Sequence, residues 1–190
     1  HGSEPHWGPP AAEAEIGDEV TALAFRPDGT ALLAGSRGGT VVMLTVPGLT
    51  EVMRESASAD VMLLEWSPDG SRAVIGRFGE WPEMWDMTAP RPMGSFRAVP
   101  ADVVLDARWS PRGERVLVAY RGGLAVLHDP ETLLPVQEPF EHRGPIARVD
   151  FSPDGGHVVA ASHDGTARVW DVHSVAVGPR SVGLAGRAGA

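Results

Sequence analysis

Apolar and polar positions along residues 146–171 predict three short strands. Ile146 to Phe151 alternates apolar and polar, Val158 to Ser162 is a second apolar run, and Ala167 to Trp170 is a third, closed by Asp171. A period of two is the mark of a strand whose faces meet different surroundings. Turn residues separate the runs: Ser152-Pro153-Asp154-Gly155, then His163-Asp164-Gly165. A helical reading fails along the whole chain, because Gly (23 residues) and Pro (17 residues) interrupt every long window.

The same phrase recurs three times upstream. Its turns are Phe25-Arg-Pro-Asp-Gly29, Trp66-Ser-Pro-Asp-Gly70, Trp109-Ser-Pro-Arg-Gly113 and Phe151-Ser-Pro-Asp-Gly155, with steps of 41, 43 and 42 residues between the prolines. One apolar spacing precedes each turn: Val20, Leu23, Phe25; Val61, Leu64, Trp66; Val104, Ala107, Trp109; Ile146, Val149, Phe151. Seventeen residues after each proline stand Leu44, Trp85, His128 and Trp170, followed by Asp in three copies (Asp86, Asp129, Asp171). The link from that position to the next proline varies, at 24, 26 and 25 residues. A constant three-strand unit joined by variable connections predicts stacked antiparallel sheets. The connections supply candidate outer strands at Leu49–Arg54, Pro92–Ala98 and Leu133–Gln137, which are more polar, as an exposed strand should be. The chain thus divides into a flexible segment 1–18 with a candidate outer strand at Glu13–Ile16, four repeats at about 19–54, 60–99, 103–139 and 145–173, and a Gly/Ala-rich tail 174–190. Within the tail, Val175–Val177 or Ser181–Leu184 is a candidate strand.

Four strands per unit and a period near 42 residues resemble the WD40 repeat family of β-propellers, over about residues 19–172. The resemblance implies an all-β, WD40-like β-propeller with four four-stranded blades. Rings of this family usually hold seven or eight blades, so it also implies part of a larger ring or an open arc, with further blades from the same or another chain as partners. The last repeat matches most fully: His142, then 27 residues, then Trp170-Asp171, with Ser162 and Asp164 between. By resemblance, His142, Ser162, Asp164 and Trp170 form a structural hydrogen-bond network that ties one blade together. Gly38, Gly79 and Gly122 stand where Asp164 does, and Leu44 and His128 where Trp170 does. Ile16 and Ala57 replace His142 in the first two copies.

Charge and composition narrow the function. A net charge of −9 argues against nucleic acid, which needs clustered cations to neutralise phosphates. No apolar run reaches the ~18 residues of a membrane span. All 16 basic residues are Arg, and with abundant Ala, Gly and Pro this reads as a GC-rich, bacterial coding bias. With no Cys there is no disulfide, thiol nucleophile or thiolate metal site, which fits a cytoplasmic location, a periplasmic one being the alternative. The chain starts at His1 without Met and reads as a processed or cut piece. The seven His residues (1, 6, 128, 142, 157, 163 and 173) show no metal-ligand spacing. No nucleophile elbow or phosphate loop occurs, so no catalytic residue, metal or cofactor is assigned. Asp60, Asp102, Asp106 and Asp150, near the starts of inner strands, read as solvated strand ends.

The resemblance places a protein-binding rim at one end of the central channel. Its residues are those just before the turn acid (Arg37, Phe78, Arg121, His163) and those after the first apolar position of each inner strand (Thr21, Met62, Leu105, Ala147). Trp81, beside Pro82 in the same region of the second copy, joins them as an aromatic anchor candidate. Two Arg, a His and a Phe around an apolar mouth suit a protein or peptide with acidic and apolar groups. The implied function is a non-catalytic scaffold for protein–protein interaction. Ser-Pro-Asp-Gly after an aromatic also resembles TolB-like and related propellers, some of them lactonases. That alternative implies a periplasmic or enzyme-associated role.

Overall fold

The computed structural model describes residues 10–97, 102–172 and 180–182. These form four four-stranded antiparallel sheets, each a meander in chain order. Blade one holds β1 (Val20–Phe25), β2 (Ala31–Ser36), β3 (Thr40–Thr45) and β4 (Glu51–Ser56). Blade two holds β5 (Val61–Trp66), β6 (Arg72–Arg77), β7 (Glu83–Asp86) and β8 (Arg91–Ser95). Blade three holds β9 (Val104–Trp109), β10 (Val116–Tyr120), β11 (Leu124–His128) and β12 (Phe140–Glu141). Blade four holds β13 (Ile146–Phe151), β14 (His157–Ser162), β15 (Ala167–Asp171) and β16 (Arg180–Val182). The inner strands pack in series, β1 on β5, β5 on β9 and β9 on β13.

The repeated proline turn closes the same way in every blade. The Gly29, Gly70, Gly113 and Gly155 N–H groups donate to the carbonyls of Arg26, Ser67, Ser110 and Ser152, and each glycine has φ between 68° and 75°. That left-handed backbone explains the glycine. The turn Asp side chain adds a second lock where present: Asp28 accepts from Thr30 N, Asp69 from Ser71 N and Asp154 from Gly156 N.

Each inner strand carries a register shift just after its first residue, at Val20/Ala22, Val61/Leu63, Val104/Asp106 and Ile146/Arg148. This bulge accounts for the odd apolar spacing. One extra residue flips the alternation, so positions such as Val61, Leu64 and Trp66 share a face although they do not lie two apart. In blades two to four that face packs on the preceding blade. Val61, Leu64 and Trp66 join Leu33 and Val41. Ala107 and Trp109 join Leu63, Val74 and Met84. Ile146, Val149 and Phe151 join Leu117, Ala119 and Leu127.

Backbones approach closely at these junctions. A Cβ on Gly35 would lie 2.3 Å from Val61 Cγ1, and one on the equivalent Gly76 would lie 2.6 Å from Val104 Cγ1. Gly35→Ala therefore overpacks the junction of blades one and two. It should destabilise by about 1–3 kcal/mol, read as a lower urea midpoint with an unchanged slope.

The arc has two unlike open faces. Leu23 and Phe25, the counterparts of Leu64 and Trp66, are 68% and 66% exposed. On the far side of blade four the exposed positions include Arg148 and Val169. Among the described residues the four blades form an arc, not a closed ring.

Some outer elements differ from the sequence reading. β4 and β8 lie close to their expected places, but Leu133–Gln137 does not form the outer strand of blade three. Asp129 caps a turn there through Glu131 N and Thr132 N, Leu133 takes φ 61°, and only a single bridge, His128 to Pro135, survives. The outer strand is the short β12 instead. Residues 13–16 form no strand; Ile16 is buried beside Ala34, Val42 and Leu44. Of the two tail candidates, β16 overlaps Ser181–Leu184, while Val175–Val177 lies outside the described residues, as do His1, His6 and His173.

Candidate functional site

One end of the arc is built from the hairpin turns between the second and third strand of each blade. The residue just before the turn glycine or acid donates its N–H to the segment leading into the inner strand, and does so in every blade. Arg37 N pairs with Glu19 O, Phe78 N with Asp60 O, Arg121 N with Val103 O and His163 N with Pro145 O, each at 2.9 Å. The structure thus brings the four expected rim residues to equivalent stations at one end. All four side chains are exposed, with Phe78 at 50%.

Their surroundings are less uniformly cationic than the sequence suggested. Arg37 is ion-paired with Glu19 at 2.5 Å. Thr21 Oγ1 donates to Val61 O at 2.6 Å, which ties blade one to blade two. Met62 is exposed, Leu105 and Ala147 are half-buried, and Trp81 is half-buried. The apolar part of this end is therefore centred on Phe78 and Met62 of blade two, with Arg121 and His163 beyond.

The predicted blade-four network takes a particular form. His142 Nδ1 lies 3.0 Å from Asp164 Oδ2, which also accepts from Arg143 N. Thr166, absent from the sequence reading, donates its hydroxyl to Asp164 Oδ1 at 2.6 Å. These bonds, Thr166 first, hold the Asp164 carboxyl well below its usual range. Ser162 receives the Asp164 N–H and donates to Gly144 O, so it links the turn to the preceding loop rather than to the ring of His142. Trp170 meets His142 edge-on, with centroids 5.5 Å apart.

Two of the blades that lack the turn acid obtain it from elsewhere. Asp102 Oδ2 accepts from Gly122 N at 2.6 Å, and a Cβ on Gly38 would lie 2.6 Å from Asp18 Oδ2. Asp18 and Asp102 occupy the station of Gly144, while Gly38 and Gly122 occupy that of Asp164. The acid and the glycine have exchanged places. Asp102 is thus not simply a solvated strand end.

Blade two uses a different device. Arg77 stands at the Ser162 station and is 3% exposed. Its guanidinium reaches Glu55 of β4 at 2.5 Å and Glu83 of β7 at 2.7 Å, and Glu83 also accepts from Trp85 Nε1 at 3.0 Å.

A second polar cluster joins the inner strands of blades two to four. Asp106 is fully buried, accepts from Val149 N at 3.0 Å and lies 2.9 Å from Arg108 Nη1. Arg108 also lies 3.6 Å from Glu65. Burial raises the carboxyls of Asp106 and Glu65, the latter to about 7. A raised carboxyl is a common feature of active sites, but here the groups bridge strands. The expectation of solvated acids fails at Asp106, because the bulge turns its side chain into the junction. Among the described residues no group of three or more His, Cys, Asp or Glu could hold a metal.

The family model for "WD domain, G-beta repeat" matches residues 14–43, which take in β1, β2 and most of β3 of blade one, and residues 134–171, which take in β12 of blade three and β13 to β15 of blade four. Over these residues the chain is similar to the WD40 repeat family. Among its relatives, "SIR4-interacting protein SIF2" of Saccharomyces cerevisiae is 21% identical over 174 residues, covering 84% of this chain and 32% of the relative. "Actin-interacting protein 1-2" of Arabidopsis thaliana is 24% identical over 160 residues, covering 82% and 26%. "WD repeat-containing protein 1" of Mus musculus is 35% identical over 69 residues, covering 35% and 11%. The chain spans about a third or less of the length of these relatives. All three are eukaryotic, so they lend no support to the bacterial source suggested by composition. In this WD40-like chain the station-by-station exchanges, Gly for Asp and Arg for Ser, leave the blade shape intact while altering what ties each blade.

Proposed function

We propose that this WD40-like chain is a non-catalytic scaffold that holds a protein or peptide partner at the end carrying Arg37, Phe78, Arg121 and His163. The observation that carries this reading is the repeated backbone bond. One invariant tie per blade sets four chemically different side chains at equivalent positions, so contacts form with little loss of ordering entropy. Phe78 and Met62 offer an apolar anchor, and Arg121 a guanidinium for a carboxylate. The names of two relatives, SIR4-interacting and actin-interacting, support a protein partner in kind, not in identity. A cytoplasmic setting in a bacterium belongs to the same proposal and is supported by the lack of Cys and the Arg-only basic set.

A peptide library screened on the purified protein should enrich sequences that combine acidic and apolar residues. Replacing Phe78 and Arg121 with Ala should weaken a selected peptide by at least about tenfold, while far-UV circular dichroism stays unchanged. Retention of affinity by the folded variant would overturn the reading.

A further inference from the structure

The blade junctions at the opposite end, where the proline turns lie, differ in one respect that points to a ligand. At the junction of blades one and two, Arg26 precedes the proline of the first turn. Its guanidinium lies over the Trp66 ring, 5.9 Å from the centroid, and its Nε is 3.5 Å from Asp28 Oδ2. Its stem lies against Gly70, where a Cβ would come within 2.6 Å of Nε. Blade one's own arginine is thus held by an acid from its turn, and by a Trp face and a glycine from the next blade.

The next junction repeats the holder without the arginine. Asp69 stands at the station of Asp28, Trp109 at that of Trp66 and Gly113 at that of Gly70, but Ser67 replaces Arg26. These four residues line an open pocket of about 370 Å³. At the third junction the aromatic is Phe151 and the turn acid is replaced by Arg112, so the holder is not repeated there.

We propose that the pocket between blades two and three binds the guanidinium of an arginine side chain from a partner, seated on Trp109 and paired with Asp69. A Trp face and a carboxylate together are suited to a guanidinium, which stacks and pairs at once. Asp69 is ionised for this, since the Ser67 and Ser71 hydroxyls and Ser71 N hold its carboxyl down at about 2. The pocket also contains Arg72 and Arg112. Arg72 is already paired with Glu131 at 2.6 Å, which forms one wall. Arg112 is exposed at the rim and opposes a cation there. The Trp109 ring is also less tied than its counterpart: Trp66 Nε1 donates to Ala24 O at 3.0 Å, whereas the buried Trp109 Nε1 has no hydrogen-bond partner among the described residues. The site lies at the end away from Phe78 and Arg121 and does not rest on the rim reading.

The test is an NMR titration that follows the Trp109 indole N–H signal. Its probes are a capped Gly-Arg-Gly peptide, the same peptide with citrulline, and one with Glu in place of Arg. The arginine peptide should give a saturable shift, at least about fivefold tighter than citrulline, with the Glu peptide weaker still. Ser67→Arg restores the blade-one arrangement within the chain and should abolish binding in a folded protein. Asp69→Asn should weaken binding severalfold, and Arg112→Ala should strengthen it. Phe78→Ala at the other end should leave it unchanged, which separates this site from the rim. Equal binding of citrulline, preference for the Glu peptide, no saturable shift, or unaltered binding by Ser67→Arg would overturn the assignment.

Discussion

Arg77→Ala is expected to lower the unfolding free energy by about 3 kcal/mol, a drop in Tm of roughly 6 to 12 °C for a chain of this size. The guanidinium is 3% exposed and stands between two carboxylates of different strands. Removing it leaves a cavity and sets Glu55 against Glu83 with no intervening cation. Loss of one member of a buried ion pair typically costs 3–5 kcal/mol. The lower part of that range applies because Glu55 and Glu83 are 33% and 30% exposed and water relieves part of the repulsion. Arg77→Met keeps much of the aliphatic stem and should lose less. Urea melts of the two variants, compared at pH 7, separate the charge from the packing. A loss below about 1 kcal/mol for Arg77→Ala would show that the triad does not hold blade two together.

Glu65→Gln should stabilise the protein at pH 8 and flatten its pH dependence between about 4.5 and 7. The folded-state carboxyl is raised from 4.5 to about 7, first by burial and then by Asp106 and Asp150, against the lowering effect of Arg108. Between those values the folded chain keeps a proton that the unfolded chain has released. Stability from this group is therefore greatest below pH 4.5 and falls as pH rises through 7. The full difference is on the order of 3 kcal/mol. A Gln carries no charge and escapes the loss, so the gain at pH 8 should be on the order of 2 kcal/mol, with little change at pH 4. Asp106 is raised too, so a residual slope of the same sign should remain. The turn acids act in the opposite sense at lower pH. Asp28, Asp69, Asp86, Asp129 and Asp154 are depressed by hydrogen bonds within their turns, and their contribution disappears as pH falls below about 4. Thermal melts from pH 3 to 8 should pass through a maximum that moves to higher pH in Glu65→Gln.

The blades were legible because each repeats a turn whose chemistry is local. Pro, Asp and Gly fix the hairpin without reference to the rest of the molecule, and the spacing to Trp85 or Trp170 then fixes the register. The spacing of Val61, Leu64 and Trp66 even contained the bulge, although period-two reasoning alone gives it no explanation. Other features depend on contacts between repeats. Nothing near Asp106 in the chain indicates that Val149 and Arg108 enclose it, since one of those partners lies 43 residues away. The outer strand of blade three was misplaced because an Asp-capped turn at Asp129 competes locally with strand pairing at Leu133. Arg77 was unreadable for a similar reason: its two acids come from different strands, one of them in another blade. The opposing signal was present at Asp18 and Asp102, where an acid appears in the copies that carry glycine at the later station.

That exchange of acid and glycine has a consequence for how such a chain can change over generations. Asp18 with Gly38 and Asp102 with Gly122 put the acid at the earlier station, whereas Gly144 with Asp164 puts it at the later one, in each case close against the facing glycine. An Asp at position 38 beside the existing Asp18 would crowd two carboxylates into one space, and a Gly at position 102 alone would strip the acceptor from Gly122 N. Passage from one order to the other needs both letters to change. The two positions are physically coupled, so substitutions scored singly at either would misjudge how much freedom the pair has.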